Sequence, residues 1–163
     1  MKYTGYRLQG MIRDAVSARD SAALLFPESI YAFPGTDPSS PVATANALAE
    51  ADREVARLQV LQARYNLAVK VRFDGATISL HEVVKLVGGL GRLEKLWRNA
   101  ARLGTATTDR YDRRPLTRAA GETVAVRQVS IEECSRRAIE AAKLAAAARE
   151  AIQLGNATEI ELD

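Results

Sequence analysis

The sequence predicts a mainly α-helical fold, a four-helix antiparallel bundle or coiled-coil-like assembly with one or two short β-ribbons. Three segments carry apolar residues at steps of three and four, the period of one helix face. Apolar residues make up 47% of the 163-residue chain but aromatics only 6%. Leu, Val, Ile and Ala must therefore fill the interior. Ala has the best helix propensity and lets helix axes approach closely, which favours thin helix-on-helix packing.

A single helical domain over 1–163 is expected, in three parts: an N-terminal helical part over 1–26, a Pro-rich loop over 27–41, and a helical core over 42–163. In the first helix, Tyr6 to Leu25, the residues Leu8, Met11, Ile12, Ala15, Val16, Arg19, Ala22 and Ala23 share the helical spacing. It is expected to end before Pro27, because proline lacks the amide that the helix ladder needs. Pro27, Pro34, Pro38 and Pro41 exclude regular structure in the loop. Its Phe26, Ile30, Tyr31 and Phe33 are more apolar than a solvated linker requires. They are expected to pack on a helix or on a neighbouring subunit.

The second helix, Val42 to Val71, carries the seam Leu48, Ala51, Val55, Leu58, Gln62, Tyr65 and Val69, with Gln62 as a polar interruption that can fix register. Asp74-Gly75 then signals a turn between short arms at Val71–Phe73 and Thr77–Ile78. Ser79 and Glu82 have capping-box spacing and open a third helix, Leu80 to Leu103. Val83, Leu86, Leu90, Leu93, Trp97 and Ala100 form its seam. Gly88, Gly89 and Gly91 interrupt it at roughly 1 kcal/mol each relative to Ala, so either the helix bends or another backbone comes close.

A basic loop is expected over 104–122, and a short strand over Thr123–Val129. Ser130 and Glu133 form a second capping box before a last helix, Ile131 to Leu154, ended by Gly155-Asn156. Its seam is Ile131, Cys134, Ala138, Ala141, Ala145, Ala148 and Ile152. Thr158 to Leu162 is expected to pair as a strand with 123–129.

Catalytic constellations are sparse. His81 and Cys134 are the sole His and Cys, which precludes an intrachain disulfide and a cysteine metal cluster. His81 falls on the first turn of a helix and Cys134 on an Ala seam, where each has a plain structural role. Glu132, Glu133 and Glu140 lie toward the start of a helix, where its dipole favours them. Asp109 and Asp112 sit among arginines as ion-pair partners. No HExxH, P-loop or dinucleotide fingerprint is present, and Gly88-Gly89-Leu90-Gly91 lies inside a helix rather than after a strand. No catalytic residue, metal or cofactor is expected, and the chain is read as no enzyme.

Net charge is +3, yet the window 92–118 holds eight basic and three acidic residues. Within it Arg98, Arg102, Arg110, Arg113, Arg114 and Arg118 surround Trp97 and Tyr111, so contact with phosphates or another anionic partner is chemically possible. No run of ~18 apolar residues exists, and Met1–Gly10 has no apolar stretch of signal-peptide type. A cytoplasmic location, away from membranes, is expected.

Four further motifs occur in order: Arg64-Tyr65-Asn66; Asp74-Gly75-Ala76-Thr77-Ile78-Ser79; Arg110-Tyr111-Asp112-Arg113 with Val129-Ser130; and Ile152-Gln153-Leu154-Gly155-Asn156-Ala157-Thr158 before Glu159. In these the chain resembles, over about residues 55–162, the septicolysin-like family of uncharacterised bacterial and phage helical proteins. It departs from that pattern at Ala157, where an aromatic is usual, in the Pro-rich loop and in the triple-glycine helix. The resemblance implies a helical, self-associating protein and carries no activity. The expected function is that of a structural or interaction protein, its homo-oligomer joined at Leu48, Val55, Leu58 and Tyr65, at Val83, Leu90, Leu93 and Trp97, and at Ala138, Ala141, Ala145 and Ile152. Another protein is a further possible partner. The alternative is a nucleic-acid-associated accessory protein using the Arg-rich segment 98–118.

Overall fold

A computed structural model describes residues 1–31, 40–103 and 127–162. In chain order the elements are β1 (Lys2–Tyr3), α1 (Gly5–Ser29), α2 (Pro41–Ala68), β2 (Lys70–Phe73), β3 (Ala76–Ser79), α3 (Leu80–Arg102), α4 (Ile131–Ala157) and β4 (Ile160–Glu161). The fold is mainly helical, with four helices packed in antiparallel pairs and two short two-stranded sheets.

Local chemistry explains the boundaries. The Thr4 hydroxyl accepts from the Arg7 amide at 3.2 Å and caps α1. Pro41 stands at the first turn of α2, where its missing N–H costs no ladder bond. Between β2 and β3, Asp74 (φ 48°) and Gly75 (φ 77°) supply the two left-handed residues of a tight hairpin. Ser130 Oγ accepts from the Glu133 amide at 3.0 Å to start α4. The Glu133 carboxylate binds arginines of its own helix.

The structure differs from the sequence expectation at three helix ends and one strand pairing. Helix α2 stops at Ala68 rather than Val71, because Lys70–Phe73 is taken into β2. Helix α1 runs through Pro27 to Ser29. Proline's φ is helical and only one ladder bond is lost this close to the end. Ser29 Oγ donates to the Phe26 carbonyl at 2.7 Å, and the Ile30 amide to that of Pro27 at 3.3 Å. Helix α4 runs through Gly155-Asn156 to Ala157. Finally, β4 pairs antiparallel with β1, Lys2 opposite Glu161 and Tyr3 opposite Ile160. Residues 127–129 form no strand, and the rest of the expected partner, 123–126, lies outside the described residues.

The backbone groups into two compact units. The first contains residues 1–71, 77–81 and 152–163, so it is discontinuous in sequence. Its centre is Tyr65, fully buried, whose hydroxyl donates toward the carbonyls of Gly155 (2.7 Å) and Thr158 (2.6 Å). Burial pushes this phenol up from its usual value. Gly155 is a close-approach glycine. A Cβ there would lie 2.8 Å from Leu80 Cδ1 and 2.9 Å from Val71 Cγ1. Gly5 performs the same service against Asn156, whose Cα would stand 3.0 Å from an added Cβ. Leu8, Leu58, Val69 and Leu80 complete this core.

The second unit contains residues 72–76 and 82–151. It pairs α3 with α4 over the Ala face of α4, where Ala138, Ala141, Ala145 and Ala148 are buried beside Cys134. Arg137 lies over the Trp97 ring at 4.9 Å. Helix α3 is continuous through Gly88, Gly89 and Gly91. An added Cβ would meet only the Arg92 guanidinium at Gly88 (3.8 Å) and Gly89 (3.9 Å), and nothing within 4 Å at Gly91.

Replacing Tyr65 by Phe removes the donor shared by two carbonyls in a buried site. The loss is expected at about 1–3 kcal/mol of unfolding free energy, measured by urea denaturation. An unchanged midpoint would remove the hydroxyl from the account of the core.

Candidate interaction surfaces

The seam residues have separate fates. On α2, Val55, Leu58 and Tyr65 are buried within the chain and Leu48 is half-buried. On α4, Ala138, Ala141 and Ala145 are buried and Ile152 half-buried. Within the chain, its own packing covers most of these faces. Narrow Ala ridges suit this, because α4 can then lie close against its neighbour.

Helix α3 is different. Val83 is fully buried, and Leu90 and Trp97 are half-buried, but Leu86 and Leu93 stand 47% and 43% exposed. Two of its six seam positions are therefore left largely exposed by the chain. Leu96 and Leu103, which the seam reading omitted, are exposed as well. They were legible as apolar positions. Their rotation away from the packed face was not.

A second apolar surface lies where α1 ends and α2 begins. Leu24 (75%), Leu25, Phe26, Ile30, Tyr31 (82%) and Val42 (69%) are exposed at this end of the antiparallel pair. Phe26, Ile30 and Tyr31, expected to pack on a helix or on a neighbouring subunit, are thus exposed within the single chain, and Phe33 lies outside the described residues. The backbone beneath is well held. Ser29 caps the end of α1, and Thr44, buried, donates its hydroxyl to the Ser40 carbonyl at 3.2 Å. The polar groups turn inward to the backbone while the large apolar groups face out.

Of the six arginines expected to meet an anionic partner, Arg98 is paired with Glu94 on its own helix, and Arg102 also has an interaction. Arg110, Arg113, Arg114 and Arg118 lie outside the described residues, as do Asp109 and Asp112. Arg127 donates to the Ala100 carbonyl at 2.7 Å and to Cys134 Sγ at 3.3 Å, which places the buried thiol under a guanidinium that also ties the end of α3. His81 is half-buried on the first turn of α3. Among the described residues no group of three His, Cys, Asp or Glu side chains converges to hold a metal, and no helix is long and apolar enough to cross a membrane.

The start of α4 carries an exposed ion cluster. Arg136 donates to both Glu133 oxygens (2.9 and 2.7 Å) and to Glu140 (2.5 Å), and Arg137 donates to Glu133 at 2.6 Å. The hydrogen bonds from Arg136 and then Arg137 hold the Glu133 carboxyl down to about 2.

The architecture belongs to the class of small helical proteins built from antiparallel helix pairs. No family model matches the chain, and no curated protein matches it. Among solved structures, a functionally unknown conserved protein from Corynebacterium diphtheriae is similar in fold, with a TM-score of 0.66 at 18% identity over 99% of this chain and 100% of that one. The likeness is one of fold.

Two outcomes follow from this geometry. The Glu133 carboxyl should remain ionised to about pH 2 in a carbon-detected NMR titration. Its contribution to helix stability is complete above the ordinary carboxylate value of 4.5 and is lost as pH falls from there toward the folded value. A midpoint near 4.5 would mean the arginine cluster does not form. Ala145→Glu, placed at a fully buried position, should unfold the α3–α4 pair rather than merely separate copies, since an unpaired buried carboxylate costs several kcal/mol. A cooperative melt unchanged in circular dichroism would contradict that packing.

Proposed function

We propose that this chain is a non-enzymatic interaction protein that self-associates, and that the joint between copies is the apolar end of the α1–α2 pair. The observation that carries this reading is the exposure of Leu24, Leu25, Phe26, Ile30, Tyr31 and Val42, gathered around the end of α1 and the start of α2. Single exposed leucines are ordinary on protein surfaces. A contiguous apolar patch containing aromatic side chains marks a contact surface. Burial of the α2 and α4 seams within the chain favours this end for the joint, which carries Phe26 at the end of α1 and Tyr31 in the Pro-rich segment. Two copies meeting end to end would bury the same patch on both, the self-complementary arrangement of a two-fold dimer. The resemblance to self-associating helical proteins over residues 55–162 supports the same class of function.

Light scattering coupled to size exclusion tests the joint. The wild-type chain is expected at a multiple of 17.7 kDa, and Leu24→Glu with Tyr31→Glu is expected at the monomer mass with an unchanged circular dichroism spectrum. A wild-type monomer at high concentration, or a multimer indifferent to both substitutions, would overturn the reading.

A further inference from the structure

Helix α3 carries a second stripe beside the one it buries. Leu86, Gly89, Leu93, Leu96, Ala100 and Leu103 follow one another at steps of 3, 4, 3, 4 and 3. The four leucines are 43–66% exposed, and the Leu103 amide still donates to the Asn99 carbonyl at 3.2 Å, so the helical register holds to its end. The period is that of a face made to receive another helix. Gly89 adds an independent sign. A glycine inside a helix costs stability, and this one returns no close contact within the chain, since a Cβ there would meet only Arg92. A small residue in an apolar stripe does let the axis of a visiting helix come near.

Charge decides what the visitor is. Helix α3 holds Lys85, Arg92, Lys95, Arg98 and Arg102 against Glu82 and Glu94, a net +3 equal to that of the whole chain. Lys85 and Arg92 stand seven residues apart along one border of the stripe, the flank that sets partner choice in helix pairs. Neither makes an ion pair among the described residues. Antiparallel self-pairing along the stripe would set these cations against their own copies, which is unfavourable.

From this stripe and its cationic border we propose that α3 is a docking site for an amphipathic helix of another protein, apolar at heptad spacing and flanked by glutamate or aspartate. Such a partner sets its carboxylates beside Lys85 and Arg92 while its leucines cover Leu86, Leu93 and Leu96. The site is separate from the α1–α2 end and stands whether or not that end joins copies.

The probe is a labelled synthetic peptide of three heptads, leucine at the core positions and glutamate at the flanks, with a lysine-flanked twin as control. Binding to the full chain is read by anisotropy and by the emission of Trp97, the chain's single tryptophan. The acidic peptide is expected to bind at least about tenfold tighter than its twin, more weakly at high salt. Lys85→Glu with Arg92→Glu should invert the preference. Gly89→Ala should raise the melting temperature yet weaken the peptide, a pairing that a purely structural glycine would not give. Equal affinity for both peptides, or no binding of the acidic one, overturns the proposal. So does binding of phosphatidylserine vesicles without binding of the acidic peptide, or a dimer that Leu96→Asp separates and the peptide does not displace.

Discussion

The hydroxyl of Tyr65 joins the middle of the chain to its end. It reaches the carbonyls of Gly155 and Thr158, and both must be close for the bond to form. That requirement propagates. Gly155 can have no side chain, because Val71 and Leu80 already occupy the space. The helix must continue past Gly155 so that Asn156 comes against Gly5, and only then does the chain emerge in place for β4 to meet β1. Two glycines and one phenol thus set where α4 ends, where α1 begins and which strand partners which.

The periodic parts of this fold were legible. The helices at 41–68, 80–102 and 131–157 and the hairpin around Asp74-Gly75 follow from spacing, composition and turn chemistry that act within a few residues. Contacts that depend on distant partners were not. Gly155-Asn156 has the composition of a helix stop, and nothing local distinguishes a stop from a glycine shaved to fit Val71 and Leu80. The two residues of β1 are too few to display a strand period, so the pairing of β4 could not be assigned to Lys2–Tyr3. Pro27 does not stop α1, since the rule against proline weakens in a final turn.

The candidate surfaces show the same division. Spacing alone marks Leu86, Leu93 and Trp97 as one seam, yet burial separates them: Trp97 is half-buried while Leu86 and Leu93 are exposed. Ala ridges cover a narrower strip than leucine ridges would. The wide apolar arc of α3 therefore extends beyond what α4 covers, and the leftover portion is the stripe that ends at Leu103. The exposed aromatics at the α1–α2 end have no such internal explanation, for their polar neighbours Ser29 and Thr44 are spent on backbone carbonyls.

The discontinuity of the first unit bears on how the protein is made. Residues 1–81 emerge from the ribosome early, but the segment 152–163 that completes their core comes last. Until then Tyr65 has no acceptor and the pocket around Val71 and Leu80 is open. Closing a loop of 90 residues in an unstructured chain costs roughly 4 kcal/mol in entropy beyond a fixed constant. The core of the first unit therefore rests on contacts of high sequence separation, the kind that form slowly because loop closure must precede the gain.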